Sequence, residues 1–396
     1  MPEIFCTREP LLNRQGKIVA TRLIFDLSSA TLPAEGEMAA ALVTLDQLLE
    51  TWPVGEKTVF VGLHGAAVGA GLFAWHAPEN VAIEVNSQAF AGEAGNALLG
   101  ALRGRNVALC LHYDEQASAA LASGLYFRFI GIDMLRYGPG ELKAQVAHTA
   151  ALGIPVAFTA MDPQSFHAAI EAGVSAASGW FFKQPTHPPA KTINPSHAHI
   201  VRVLNLVRSN ANVAEIETAL KQDVALSYKL LRYINSAGFG LSCEIQSFRH
   251  AVTILGYDKL NRWLSLLLAT ASKDPMAPAL MHTALSRGRM MELLGRGLVD
   301  NSEFDNLFIT GAFSLLNVML GVDMEQILDA MHLPEPISDA LLGNGGVYAP
   351  FLDLALACEA TDATALAGLA AMLGLTADQV NRAQLEALNF ADRLEF

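Results

Sequence analysis

Through the first half of the chain, short uninterrupted apolar runs alternate with longer stretches whose apolar residues recur every three or four positions. The runs fall at residues 18–25, 58–62, 81–85, 107–111, 127–133, 156–159 and 176–179. Between them, residues 38–50, 89–102, 114–122, 141–152 and 163–172 carry the helical spacing. Unbroken apolar strands separated by amphipathic helices predict a parallel sheet covered by helices on its faces. About seven such units predict a (β/α) barrel rather than an open sheet. Residues 5–11 and 17–25, joined by the turn Asn13–Gly16, read as a hairpin at its start. The region is shorter than the roughly 250 residues of an eight-unit barrel, so some helices must be missing or reduced.

Prolines 185, 188, 189 and 195 then break the pattern. Proline removes a backbone donor and disfavours helix at the residue before it, so residues 186–199 read as an extended linker. After it the spacing is helical throughout. Asp223 and Ser247 are placed as helix caps, and further helices are expected at 278–298, 305–320, 324–331, 337–342, 351–360, 363–373 and 376–387. The domains expected are a shortened barrel over 1–185, the linker, and an all-α domain over 200–396.

The chain has 396 residues, 52% apolar and 16% charged, enough for two sizeable cores. With 26 basic and 39 acidic side chains the net charge is −13, which excludes broad binding to nucleic acid through a basic surface. Cys6, Cys110, Cys243 and Cys358 stand far apart with no zinc-ligand spacing, as suits core residues in a reducing compartment. The first eight residues carry no export signal. The uncharged run 58–78 holds four glycines and two histidines and reads as strand and turn, so no membrane span is expected. A cytoplasmic protein follows. No Walker A sequence, GxSxG elbow or HExxH is present. Gly69-Ala70-Gly71 lies too far from the preceding strand to be a dinucleotide turn.

Five segments occur in a telling order. They are Val19-Ala20-Thr21-Arg22-Leu23-Ile24-Phe25, Val81-Ala82-Ile83-Glu84-Val85, Phe129-Ile130-Gly131-Ile132-Asp133, Ile154-Pro155-Val156-Ala157, and Gly179-Trp180-Phe181-Phe182-Lys183-Gln184-Pro185. Together they resemble the EAL domain, the barrel that hydrolyses cyclic di-GMP. That resemblance implies strand-end carboxylates holding two divalent metals, with a lysine to assist. Here the signature glutamate position is Arg22, His112 and Tyr113 stand where paired aspartates belong, and the lysine position is Gly131. Residues 156–161 hold no carboxylate, and of the aligned acids only Glu84 and Asp133 remain. The literal Glu386-Ala387-Leu388 falls in a C-terminal helix and is coincidental.

In the second half, Asp223-Val224-Ala225-Leu226-Ser227-Tyr228-Lys229, Asn235-Ser236-Ala237-Gly238-Phe239-Gly240 and Ser247-Phe248-Arg249-His250-Ala251-Val252 follow one another. This succession resembles the HDOD domain, a relative of metal-dependent HD phosphohydrolases. No His-Asp dipeptide occurs, and residues 308–320 are uncharged where that helix would fall. Imidazole and carboxylate together hold such a metal; His250 reads instead as a helix-end contact, while His282 is the other imidazole weighed as a ligand. Glu84 is expected to be a paired strand-end group rather than a metal ligand. Arg22 is expected to pair with Glu84 or Asp133, with a cyclic di-GMP phosphate as the alternative partner.

The combined resemblance, a degenerate EAL barrel joined to an HDOD domain, implies bacterial signal transduction without catalysis. The expectation is a regulator or adaptor acting through protein–protein contacts in cyclic di-GMP pathways that govern motility or biofilm. No enzymatic activity, catalytic residue, metal or cofactor is assigned. Two alternatives stay open: a receptor that binds cyclic di-GMP without hydrolysis, and a residual metal-dependent phosphodiesterase. The protein partner is unnamed, and a homodimer stays open.

Overall fold

The computed structural model describes residues 3–27, 34–53, 55–64, 68–184, 189–190, 193–222, 275–331 and 333–394, together with scattered positions between 252 and 265. The HDOD-like motifs at 223–250, with Asn235, Ser236 and His250, lie outside the described residues. The chain divides into two compact units. One comprises Met1–Phe182 with Leu356–Leu385; the other comprises Lys183–Ala355 with Glu386–Phe396. The barrel unit is therefore not confined to residues 1–185.

Eight strands close into a barrel in sequence order: β1 Cys6–Leu12, β2 Ile18–Asp26, β3 Thr58–His64, β4 Val81–Val85, β5 Ala108–His112, β6 Phe129–Asp133, β7 Ile154–Phe158 and β8 Ala176–Ser178. β2 to β8 run parallel, and β1 lies antiparallel to both β2 and β8. The β1–β2 hairpin is set by Asn13, whose side-chain oxygen accepts from the amides of Gln15 and Lys17 at 3.0 and 3.1 Å. Leu11, Ala20, Phe60, Ala82, Cys110, Phe129, Val156, Phe158 and Ala176 fill the interior, large side chains against small ones. Phe60 meets Phe129 edge-on at 4.9 Å and Phe158 at 6.0 Å.

The expected economy of helices is seen between β3 and β4, where the described residues of the connection hold one 3₁₀ turn, Ala70–Ala74, and no α-helix. The helix predicted at 89–102 splits into a 3₁₀ turn, Ser87–Phe90, and an α-helix, Gly92–Leu102. The last residue of the 156–159 run, Thr159, leaves the strand with a left-handed backbone, φ 68°. Its amide donates to Ser178 Oγ at 3.1 Å, which holds that strained conformation in place.

The described part of the second unit is helical. Pro195–Arg208 takes the last residues of the stretch read as a linker, since proline is tolerated in a helix's first turn. Ala277–Leu294 is buried almost all round and packs on Phe304–Phe313. The two touch at Gly288 and Gly311; a Cβ on Gly311 would sit 2.6 Å from the Gly288 nitrogen. The helix predicted at 305–320 breaks at Ser314 and Leu315 into Phe304–Phe313 and Leu316–Leu320. Among the described residues no single helix is long and apolar enough to cross a membrane.

Candidate functional site at the barrel mouth

At the C-terminal ends of the parallel strands, where barrel enzymes place their sites, a cavity of about 450 Å³ opens. Its lining alternates in charge. Asp26, Glu84, Asp114 and Asp133 stand among Arg22, His64, His112 and Arg136, with Asn86 and Tyr113 between them. Thr361 and Ala363 add a wall from the far end of the sequence.

The centre of the mouth is Glu84, at the end of β4 and 4% exposed in its side chain. Arg22 on β2 grips it with two prongs, Nε to Oε1 at 2.7 Å and Nη2 to Oε2 at 2.8 Å. His112 Nε2 meets Oε2 at 2.8 Å. Burial works against the Glu84 charge, but Arg22 and then His112 bring its pKa down to about 2. Gly62 makes room for it, because a Cβ there would lie 2.9 Å from Oε2. The predicted pairing of Arg22 with Glu84 is thus present.

Below this pair, Arg22 Nη1 lies 3.5 Å from Glu9 Oε2, which also accepts from Ser178 Oγ at 2.7 Å. Burial raises the Glu9 pKa, with Arg22 pulling against the rise. Phe158 organises the cations. The Arg22 guanidinium lies 4.4 Å over its ring, and His112 stacks on it at 5.1 Å. Gly131, the lysine position of the resemblance, is closed by the same ring: a Cβ there would meet Phe158 at 2.4 Å.

Asp133 takes no part in this cluster. Its Oδ1 accepts from the Leu135 amide at 3.0 Å, capping the turn Met134–Arg136, and its Oδ2 stands 3.6 Å from Arg136 Nε. His282 lies in the other unit, bound to Asp392 at 2.7 Å. Sequence reasoning missed the His112 hydrogen bond, the Phe158 platform, the Glu9–Ser178 support and the Thr361 wall. His112, at the end of an apolar run, gave a local signal; Thr361 gave none.

The residues present do not fit the two divalent metals that the EAL resemblance implies. Both Glu84 oxygens are engaged by Arg22 and His112. Among the described residues, no three His, Cys, Asp or Glu side chains converge to hold an ion.

A closed eight-stranded barrel precedes a region that is helical among the described residues. Residues 193–313 match the HDOD domain family model. The chain is 27% identical over 266 residues to "Cyclic di-GMP phosphodiesterase CdgJ" of Vibrio cholerae serotype O1, covering 66% of this chain and 62% of that protein. It is 23% identical over 377 residues to "Uncharacterized protein YuxH" of Bacillus subtilis strain 168, covering 91% of each. Among solved structures, the Klebsiella pneumoniae BlrP1 manganese/cyclic di-GMP complex is 15% identical, with a TM-score of 0.37 over 46% of this chain and 55% of that one.

The CdgJ match corrects one expectation. The sequence reading placed the chain outside the enzymes by counting lost strand-end donors. A curated relative named as a phosphodiesterase overturns that exclusion. Donors missing from motif positions measure distance from one ligand set, not the absence of activity.

Proposed function

We propose that this chain is a cyclic di-GMP-responsive signalling protein of the bacterial cytoplasm whose barrel mouth receives the dinucleotide. The observation that carries this reading is the mixed lining of the 450 Å³ cavity. Cyclic di-GMP presents two kinds of group, anionic phosphates and guanine N–H donors. Arginine recognises the first and carboxylate the second. Arg136, with 58% of its side chain exposed, stands at the cavity beside the carboxylates of Asp114 and Asp133. Passing the bound state to a protein partner is the role the HDOD resemblance implies.

Titration calorimetry of the full chain with cyclic di-GMP tests the reading. Micromolar binding, weakened about tenfold or more by Arg136→Ala, is expected, on the ordinary worth of a hydrogen bond to a charged group. No heat at millimolar ligand would sink it. The CdgJ match favours a second reading, phosphodiesterase activity. It is tested by adding magnesium or manganese and assaying linear product, with loss of turnover in Arg136→Ala, a largely exposed residue of the lining, marking this cavity as its seat.

A further inference from the structure

β1 has a seam problem. β8 is three residues long and pairs with β1 only at Leu11 and Leu12, so the outward-facing backbone groups of Ile4, Cys6 and Arg8 have no strand to meet. An edge of this kind leaves polar groups that must be paired or solvated. The segment Leu356–Leu385, remote in sequence but part of the same unit, supplies the partners. Asn381 acts as a surrogate peptide: its Oδ1 accepts from the Cys6 amide at 2.9 Å and its Nδ2 donates to the Ile4 carbonyl at 2.9 Å. Gln384 Nε2 donates to the Cys6 carbonyl at 2.8 Å. The Arg8 amide donates to the Cys358 carbonyl at 2.8 Å. Beside these bonds the Arg8 guanidinium meets Glu359 at 3.2 Å, with both side chains almost wholly buried.

This segment also reaches the cavity. Immediately after the Arg8–Glu359 anchor the chain exposes Thr361 and then Ala363 on the wall of the mouth. Asp362 between them caps the helix Ala363–Met372 by accepting from the Ala365 amide at 3.0 Å. The cap takes one of that helix's first-turn amides, and Thr361 is the hydroxyl-bearing residue the segment places on the cavity wall.

We propose that Leu356–Leu385 is a working part of the barrel's binding site: it closes the β1 seam, lends Thr361 to the ligand, and is held more tightly to β1 when the cavity is filled. The linkage is thermodynamic. A ligand that touches the docked segment stabilises docking by its preference for that state. This inference rests on the reading that the cavity takes cyclic di-GMP.

Hydrogen exchange of the full chain, with and without cyclic di-GMP, reads the seam directly. Slower exchange at Cys6, Arg8 and residues 358–363 on adding ligand is expected. Asn381→Ala should speed exchange at Cys6 without ligand and weaken binding about tenfold. Thr361→Ala, which leaves the seam intact, should weaken binding several-fold with unchanged ligand-free exchange. If the parent chain binds and both variants bind equally well, or if the seam amides ignore the ligand, this inference is overturned alone. If the parent chain itself fails to bind, the reading of the cavity falls and takes this inference with it.

Discussion

Each unit sets an arginine on a phenylalanine ring and pairs it with a glutamate, buried in the barrel and partly buried in the helical unit, yet the two arrangements serve different ends. In the barrel, Arg22 lies 4.4 Å over Phe158 and grips Glu84 beside an open cavity. In the helical unit, Arg262 lies 3.5 Å over Phe308 and bridges Glu292 at 2.7 Å and Asp305 at 3.2 Å. Glu292 sits on Ala277–Leu294 and Asp305 on Phe304–Phe313, so Arg262 ties two packed helices together. Glu84 answers to Arg22 and His112 much as Glu292 answers to Arg262 and Arg289, but it does so at the edge of a space large enough for a ligand. The same pair of residue types is a fastener where its surroundings are filled and a candidate recognition element where they are open.

The contrast can be broken most forcefully at the two glutamates. Glu84→Gln leaves Arg22 buried with only Glu9, 3.5 Å away, to answer its charge. Removing one partner of a buried pair costs about 3–5 kcal/mol, so chemical denaturation should show the barrel losing stability on that scale. Acid should produce a change of similar size. The Glu84 pKa falls from an ordinary 4.5 to about 2 in the folded chain. Its contribution is therefore fully present above about pH 4.5 and is lost as pH falls toward 2; the shift corresponds to about 3 kcal/mol. Glu9, raised by burial, has the opposite sign: its contribution is present at low pH and is lost as pH rises through its folded pKa. A stability–pH profile that steepens below pH 4.5 in the parent and flattens in Glu84→Gln is expected. In the helical unit, Glu292→Gln should cost less, about 1–2 kcal/mol, because Arg262 keeps Asp305 and the other cation freed, Arg289, is partly exposed to water. Equal losses at Glu84 and Glu292 would erase the distinction between the two sites.

Much of this was legible in the sequence because it was local. Strand and helix positions follow from apolar spacing, and Arg22 could be paired with Glu84 because both sit inside apolar runs that a barrel brings to the same end. What could not be read is what the chain brings from afar or what depends on shape. Asn381, Gln384 and Thr361 carry no pattern that points to β1, since a side-chain amide standing in for a strand leaves no periodic trace. Phe158 reads as one more core residue until the fold puts Arg22 and His112 on its face. The exclusion of enzymatic activity failed for a different reason: it treated alignment to one ligand set as a measure of chemistry.

The smallest expected effect sharpens the comparison within the barrel itself. Glu84 and Asp133 are the two acids that survive at EAL-like positions, and the sequence alone treats them alike. The structure does not. Asp133 keeps a third of its side chain exposed, caps one short turn, and holds Arg136 only at 3.6 Å. An exposed pair is worth about 0–1 kcal/mol, and a cap typically about 1 kcal/mol. Asp133→Ala should therefore lower stability by roughly 1 kcal/mol at most by those same magnitudes, with no change in the acid limb set by Glu84. Because Asp133 and Arg136 both line the cavity, the variant should register in cyclic di-GMP calorimetry more than in unfolding. A loss of stability rivalling that of Glu84→Gln would mean that Asp133 is bound into the mouth as firmly as Glu84, and that the two surviving acids form one site after all.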